Sequence, residues 1–521
     1  MARWLPHKAS KWMLLWKKST CLPMFSRPPS LVCGAIPSPL RCTSSTACLR
    51  FNIVGLPDTS CREAKDRVRA AFLSAGEDWP NKKITVNLSP SDLKKSGPSL
   101  DLAIAMGVLG AAERIDLEKL DGLGFLGELG LDGSIRPLRG ALPMGDAVKA
   151  NTVVASVDNA AELSLLADTV RPVATLARLL GCLRGENSWP DPPAPPPPAP
   201  RTSSLDIRDI RGQHTGKLAL SLAAAGGHHL LMVGPPGAGK TMLAKRLPGL
   251  LPTLSEEDAV SVTRIHSAAG ELRTGQIPVT EAPFRAPHHS ASAVSLVGGG
   301  ARQMRPGEIS LAHRGVLFLD ELGEFGPGAL DGLRQPLEER VVRVTRAHST
   351  ARYPADVLLV ASMNPCPCGE SGAPGACRCS DAQRSRYHRR VSGPLLDRFD
   401  LRIGVQRPDA SELFGVPSGE SSAEMAERVA AARQRAIARS GCVNGSLDQA
   451  TLDQVAPLSD GARTILTSAV EQGRLSARGV GRVRAVARTI ADIEDSGEAE
   501  VSVEQLCLAM SLRVDPFGFG Q

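Results

Sequence analysis

Short unbroken apolar runs, each closed by glycine or by a polar residue, mark the chain from about residue 230 onward. Leu230, Leu231, Met232 and Val233 run into Gly234; Gly315 to Leu319 runs into Asp320 and Glu321; Val357 to Met363 runs into Asn364. Runs this short with no polar alternation predict strands covered on both faces, as in a parallel sheet with crossover helices. A helix-compatible stretch, Met242 to Leu250, follows the first of them. In a sheet of that kind the ligand site is expected at the carboxyl edge, where these strands release their polar residues.

The residues at that edge carry chemistry. Gly234, Pro235, Pro236, Gly237, Ala238, Gly239, Lys240 and Thr241 spell a complete GxxxxGKT phosphate loop between a predicted strand and a predicted helix. Glycines let backbone N–H groups curl around the phosphates, Lys240 neutralises β/γ charge, and the Thr241 hydroxyl is a Mg²⁺ ligand. Asp320 is expected to hold Mg²⁺ through its water shell and Glu321 to polarise the attacking water. Asn364 is placed to sense the γ-phosphate, although an Asn after a strand is often only a turn residue. ATP and Mg²⁺ are therefore the expected cofactors.

In this order the motifs resemble an AAA+ ATPase of the magnesium-chelatase-like group, together with Ser392 to Leu401 (SGPLLDRFDL) and Leu475 to Arg478 (LSAR). Phe284 to Ser290 (FRAPHHS), Gly298 to Gly300, Pro306 to His313 (PGEISLAH) and Ala487 to Ile493 (ARTIADI) are similar, more narrowly, to the YifB/ComM family. The resemblance implies an α/β fold, an AAA+ P-loop parallel sheet with a helical lid, over residues 205–405 and 406–521. It implies that Arg398 is an arginine finger reaching the ATP of a neighbouring subunit, and that Arg478 is the sensor arginine of the lid. Asp397 or Asp400 offers Arg398 a surface ion pair instead. A finger acting in trans implies a homo-oligomeric ring, a hexamer in this family.

A Pro-rich stretch, residues 186–204, reads as an extended linker, because its prolines give a helix or sheet no amide donors. Before it, residues 51–185 resemble the Lon-protease-like, ribosomal-S5-type α+β domain; the matching stretches include Asn52 to Asp58, Ile84 to Leu88 and Lys95 to Leu102. Gly97, Pro98 and Ser99 suggest a peptidase nucleophile. The position where that family keeps its Lys base is Met144 here, however, and Lys149 lies a helical turn away. A hydroxyl without a base is a poor nucleophile, so a structural or substrate-guiding domain is expected.

Composition alters this picture in a few places. The net charge of +7 comes from the start of the chain: residues 1–57 hold eight Lys/Arg and no acid, leaving 53 basic against 54 acidic residues. Nucleic-acid affinity must therefore come from a local patch. Residues 1–50, with no acid and many Pro and Ser, match nothing in the family pattern. They read as a misassigned or frame-shifted start, or as a transit peptide, which would leave the first domain without an edge strand. No apolar run approaches the roughly 18 residues of a membrane-crossing helix. Cys366, Cys368, Cys377 and Cys379 form two CxC pairs, a pattern for structural Zn²⁺ or for free thiols in a surface loop, in a reducing, cytoplasmic compartment.

Arg340 to Arg346 with Arg352 reads as a hairpin, where such rings place pore-facing basic residues. Arg343 and Arg346 are its candidate DNA contacts, against a merely solvated hairpin. The resemblance implies a ring motor acting on DNA, a ComM-like branch-migration helicase. A magnesium-chelatase-type ATPase subunit and a protein-remodelling unfoldase are the alternatives.

Overall fold

A computed structural model of the chain describes residues 40–45, 51–88, 97–148, 150–167, 169–191, 205–272, 277–300, 304–346, 349–370, 377–414, 419–497 and 500–515. The chain divides into two units. One contains the described parts of Met1–Pro198, Thr263–Pro278 and Thr345–Ala351; the other contains those of Ala199–Val262, Val279–Val344 and Arg352–Gln521.

The second unit is built on a five-stranded sheet, in the order Phe284–Arg285, Val316–Leu319, Leu358–Met363, Leu230–Val233, Leu401–Gly404. All its pairs are parallel, with Val316 opposite Leu358, Val360 opposite Leu230, and Leu401 also opposite Leu230. Every residue of the three central strands is buried, as their uninterrupted apolar runs require. Leu220 from the helix His214–Gly226 and Leu243 and Leu247 from Lys240–Leu250 join Met232, Phe318 and Val360 in one core. That core continues without a break into Val429, Val483, Val486, Ile490 and Leu506, which belong to the helical part formed by Ser422–Ser440, Asp460–Glu471, Ala477–Glu494 and Val503–Ser511. Ser421 with Glu424 and Ser502 with Gln505 close capping boxes, each cap contributing about 1 kcal/mol.

In the first unit, Phe51–Val54 pairs parallel with Lys83–Leu88, and Leu123–Leu126, Thr152–Ala155 and Thr169–Pro172 form a second parallel sheet. Helices Thr59–Ser74 and Asp101–Ala111 close the core with Val68, Phe72, Leu102 and Met106 against Ile84 and Val86. One expectation is corrected here. Leu40–Ser45, assigned above to the unmatched leader, is the edge strand that was expected to be missing, paired antiparallel with Lys83–Leu88 along its whole length. Its sequence, LRCTSS, has no apolar alternation, because pairing to an edge needs backbone groups rather than a hydrophobic face.

The Gly97–Ser99 turn is fastened from below. Asp58 accepts from the Gly97 amide at 3.1 Å, and Arg67 donates to both oxygens of the buried Asp101 at 2.6 and 3.0 Å. Met144 packs against the core around Leu126, Leu138 and Val170, while Lys95 and Lys149 lie outside the described residues. Burial pushes the nearby Cys61 thiol up to about 12, so it is no nucleophile either.

Candidate active site

The phosphate loop leaves the Leu230–Val233 strand and enters the Lys240–Leu250 helix directly at its lysine. Gly237 and Gly239 take φ of 78° and 88°, the left-handed region a side chain rarely enters, and this curls the loop so that its N–H groups face inward. Lys240 is buried at the centre. Its Nζ donates to the Gly234 carbonyl at 2.6 Å, the Pro235 carbonyl at 2.9 Å and Asn364 Oδ1 at 3.1 Å. Burial pushes its ammonium below the usual lysine range, opposed by the charges of Asp320 and Glu321.

The carboxylates arrive from the end of Val316–Leu319, which lies beyond Leu358–Met363 in the sheet. Asp320 Oδ2 accepts from the Thr241 hydroxyl at 2.9 Å, and its Oδ1 accepts from the Ser362 hydroxyl and from the Glu321 amide. Asp320 is thus held by groups from three elements before any ligand arrives. A hydroxyl and a carboxylate one hydrogen bond apart form an oxygen pair of the kind Mg²⁺ takes, and the lysine beside them matches a polyphosphate, so the donor set fits ATP with Mg²⁺.

Glu321 stands at φ 55° and is half exposed, and its Oε2 lies 3.0 Å from His289 Nδ1. His289 was not assigned a role from sequence; the only signal was its place in the FRAPHHS stretch, whose Phe284–Arg285 strand forms the sheet edge. Gln213 ends the stretch Asp206 to Gln213, which resembles the segment that precedes AAA+ cores, but had no role of its own from sequence. It sends Nε2 to the Ala238 carbonyl of the loop at 3.1 Å and to Gln406 O at 2.5 Å. Arg407 Nε donates to Pro236 O at 3.1 Å, a further support from outside the loop.

Three family models match in succession: subunit ChlI of Mg-chelatase over residues 41–158; magnesium chelatase, subunit ChlI over 206–413; and the ChlI C-terminal model over 419–513. An uncharacterized protein of Mycobacterium tuberculosis is 43% identical over 471 residues, covering 89% of this chain and 92% of that protein. YifB of Escherichia coli, itself uncharacterized, is 43% identical over 451 residues, covering 86% and 88%. Competence protein ComM of Haemophilus influenzae is 41% identical over 473 residues, covering 89% and 92%.

The chain belongs to the YifB/ComM family of magnesium-chelatase-like AAA+ ATPases. A shorter stretch is similar to Lon protease 2 of Bacillus subtilis, 29% identical over 153 residues and 27% of each chain.

The other candidate residues stand in different states. Arg398 is largely buried, with its Nη2 2.7 Å from Glu338 Oε2 rather than paired with Asp397 or Asp400. Its backbone is gripped from the lid: Arg482 Nη1 donates to the Arg398 carbonyl at 3.0 Å and pairs with Asp400. Arg478 is exposed in the first turn of the lid helix Ala477–Glu494. The hairpin exists as Val341–Arg346 with Ser349–Pro354, anchored by the fully buried Tyr353, whose hydroxyl donates to Met304 O at 3.0 Å. Arg343 is exposed on it, 3.3 Å from Glu339, and the Arg346 side chain lies outside the described residues. Cys366, Cys368, Cys377 and Cys379 converge, with their Sγ atoms all within 4.8 Å of one another. Among the described residues no helix is long and apolar enough to cross a membrane.

Proposed function

We propose that the protein is an ATP-driven ring motor acting on DNA, a branch-migration helicase; its similarity to a protein named for competence supports a role on DNA. The observation carrying the ATP half is the convergence of Lys240, Thr241, Asp320 and Asn364 through direct hydrogen bonds at the carboxyl edge of one sheet. In this reading the backbone N–H groups from Gly237 to Thr241 receive the phosphates and Lys240 neutralises them. Mg²⁺, held by Thr241 and Asp320, supplies further neutralisation of phosphate charge. Glu321 orients and polarises the attacking water, Asn364 reads the γ-phosphate, and Arg478 closes from the lid.

Arg398 is offered to a neighbouring copy, in a homo-oligomeric, hexameric ring. To act there it exchanges its contact with Glu338 for phosphate charge, an exchange between two accessible anions that assembly can drive. The four cysteines hold a Zn²⁺ ion. Arg343 and Arg346, on the hairpin ahead of the Asn364 strand, contact DNA phosphates without sequence preference.

The test is the ATPase rate of the full chain with and without branched DNA. The reading expects DNA to raise the rate, an Arg343→Ala/Arg346→Ala pair to abolish the rise while sparing the basal rate, and Glu321→Gln to bind ATP but lose roughly 10³-fold in turnover. Stimulation by unfolded protein and none by DNA would move the assignment to a protein unfoldase.

A further inference from the structure

The cysteine cluster lies against the nucleotide site. Asn364, whose Oδ1 holds the Lys240 ammonium, is two residues before Cys366, and only Pro365 separates them. On the far side of the first CxC pair, Gly369 (φ 80°) abuts the phosphate loop so closely that an added Cβ would stand 2.5 Å from Pro236 Cδ. The next residue, Glu370, pairs at 2.7 Å with Arg407, and Arg407 donates to the Pro236 carbonyl. The five-residue stretch Cys366–Glu370 thus continues from the Lys240 partner at one end and braces Pro236 at the other. The second pair, Cys377 and Cys379, leads into the helix Asp381–His388, whose His388 Nε2 returns to Pro365 O at 3.0 Å.

The sulfurs are arranged for a metal. A ZnS₄ tetrahedron with Zn–S bonds of about 2.3 Å has S···S edges of about 3.8 Å. Cys366 and Cys368 are 3.3 Å apart, Cys366 and Cys377 3.8 Å, and Cys368 and Cys377 3.7 Å. These separations are far beyond the roughly 2.05 Å of a disulfide. The chain offers four soft ligands, one buried and three at or near the surface. That is the setting in which a structural metal supplies the folding energy.

We propose that zinc in this tetrathiolate knuckle is a positioning device for ATP: by fixing Cys366 and Cys368 it sets Asn364 against Lys240 and seats Gly369 and Glu370 against Pro236. The inference rests on the ATPase and zinc assignments above and adds the coupling between them. Asn364, Gly369 and Glu370 are positioned by the metal without ligating it, so nucleotide affinity should follow zinc occupancy.

The experiment uses the full chain, with zinc measured by elemental analysis and a fluorescent ATP analogue titrated without DNA. The proposal expects about one zinc per chain. Cys368→Ser should lose it and weaken analogue binding about tenfold, the scale of a sub-ångström misplacement, while Cys368→His, which keeps a ligand, should restore both. Because Cys368→Ser can also unfold the loop, Glu370→Gln is the second variant: it should retain the zinc and still weaken binding several-fold by freeing Arg407 from the knuckle. A chain without zinc, as purified or after addition of zinc to reduced protein, overturns the proposal. So does unchanged analogue affinity in both Cys368→Ser and Glu370→Gln. A zinc-loaded chain that binds no analogue at all overturns the ATPase assignment instead.

Discussion

His313 Nδ1 accepts a hydrogen bond from the Asp356 amide at 3.1 Å, a contact open only to the neutral ring. Burial, with Arg314 beside it, pushes its pKa down from 6.5 to about 4. The unfolded ring takes up a proton near pH 6.5 while the folded one resists until about 4. The stability His313 contributes is therefore complete above pH 6.5 and is lost as pH falls through that window, at about 1.4 kcal/mol per unit. Acid titration of the unfolding midpoint should show a steeper fall in the native chain than in His313→Gln; parallel curves would remove His313 from the account. At this scale the sequence was most readable where chemistry dictates residue type, as at Lys240, Thr241 and Asp320. It was least readable where a role comes from contact across the sheet edge, as His289 makes with Glu321.

The lid helix Ala477–Glu494 does more than carry Arg478. One turn further on, Arg482 ties the same helix to the Arg398 carbonyl and to the buried Asp400. Movement of the lid is thereby linked to the loop that presents Arg398. Arg482→Ala leaves the Asp400 carboxylate without this cation and should cost about 3 kcal/mol. Turnover should drop while ATP affinity is nearly kept. Arg482→Lys should recover stability more than turnover, since a lysine restores charge but not the planar guanidinium that sets Nη1 between the Arg398 carbonyl and Asp400. Thermal unfolding alongside a kcat-against-KM comparison separates these effects, and a turnover loss fully tracking the stability loss would argue against a positioning role. Among elements, the buried parallel strands were legible because each is a continuous apolar run. Leu40–Ser45 was not, because an edge strand is fixed by the partner it pairs with, here Lys83–Leu88. The hairpin was legible from its run of Arg and β-branched residues, Arg340 to Arg346, but its anchor, Tyr353, was not.

Taken whole, one chain brings Lys240, Thr241, Asp320, Glu321 and Asn364 together, while Arg478 stands exposed on the lid helix. Arg398, by contrast, is held by Glu338 within its own chain. The gathering of Lys240, Asp320 and Asn364 at one sheet edge was legible from motif order, since each follows an apolar run, whereas the role expected of Arg398 came from the family resemblance. The partner that Arg398 keeps within its own chain was not legible, because Glu338 is one acid among many in the sequence. The central claim is that hydrolysis is shared between neighbouring copies, and mixing two inactive variants tests it directly. Glu321→Gln and Arg398→Ala should each bind ATP and turn over slowly, the arginine loss costing roughly 10³-fold. Mixed assemblies contain interfaces where an intact Glu321 faces an intact Arg398, so the account predicts that ATPase activity partly returns on mixing. Normal turnover by Arg398→Ala alone, or no recovery in assemblies shown to contain both variants, would contradict it.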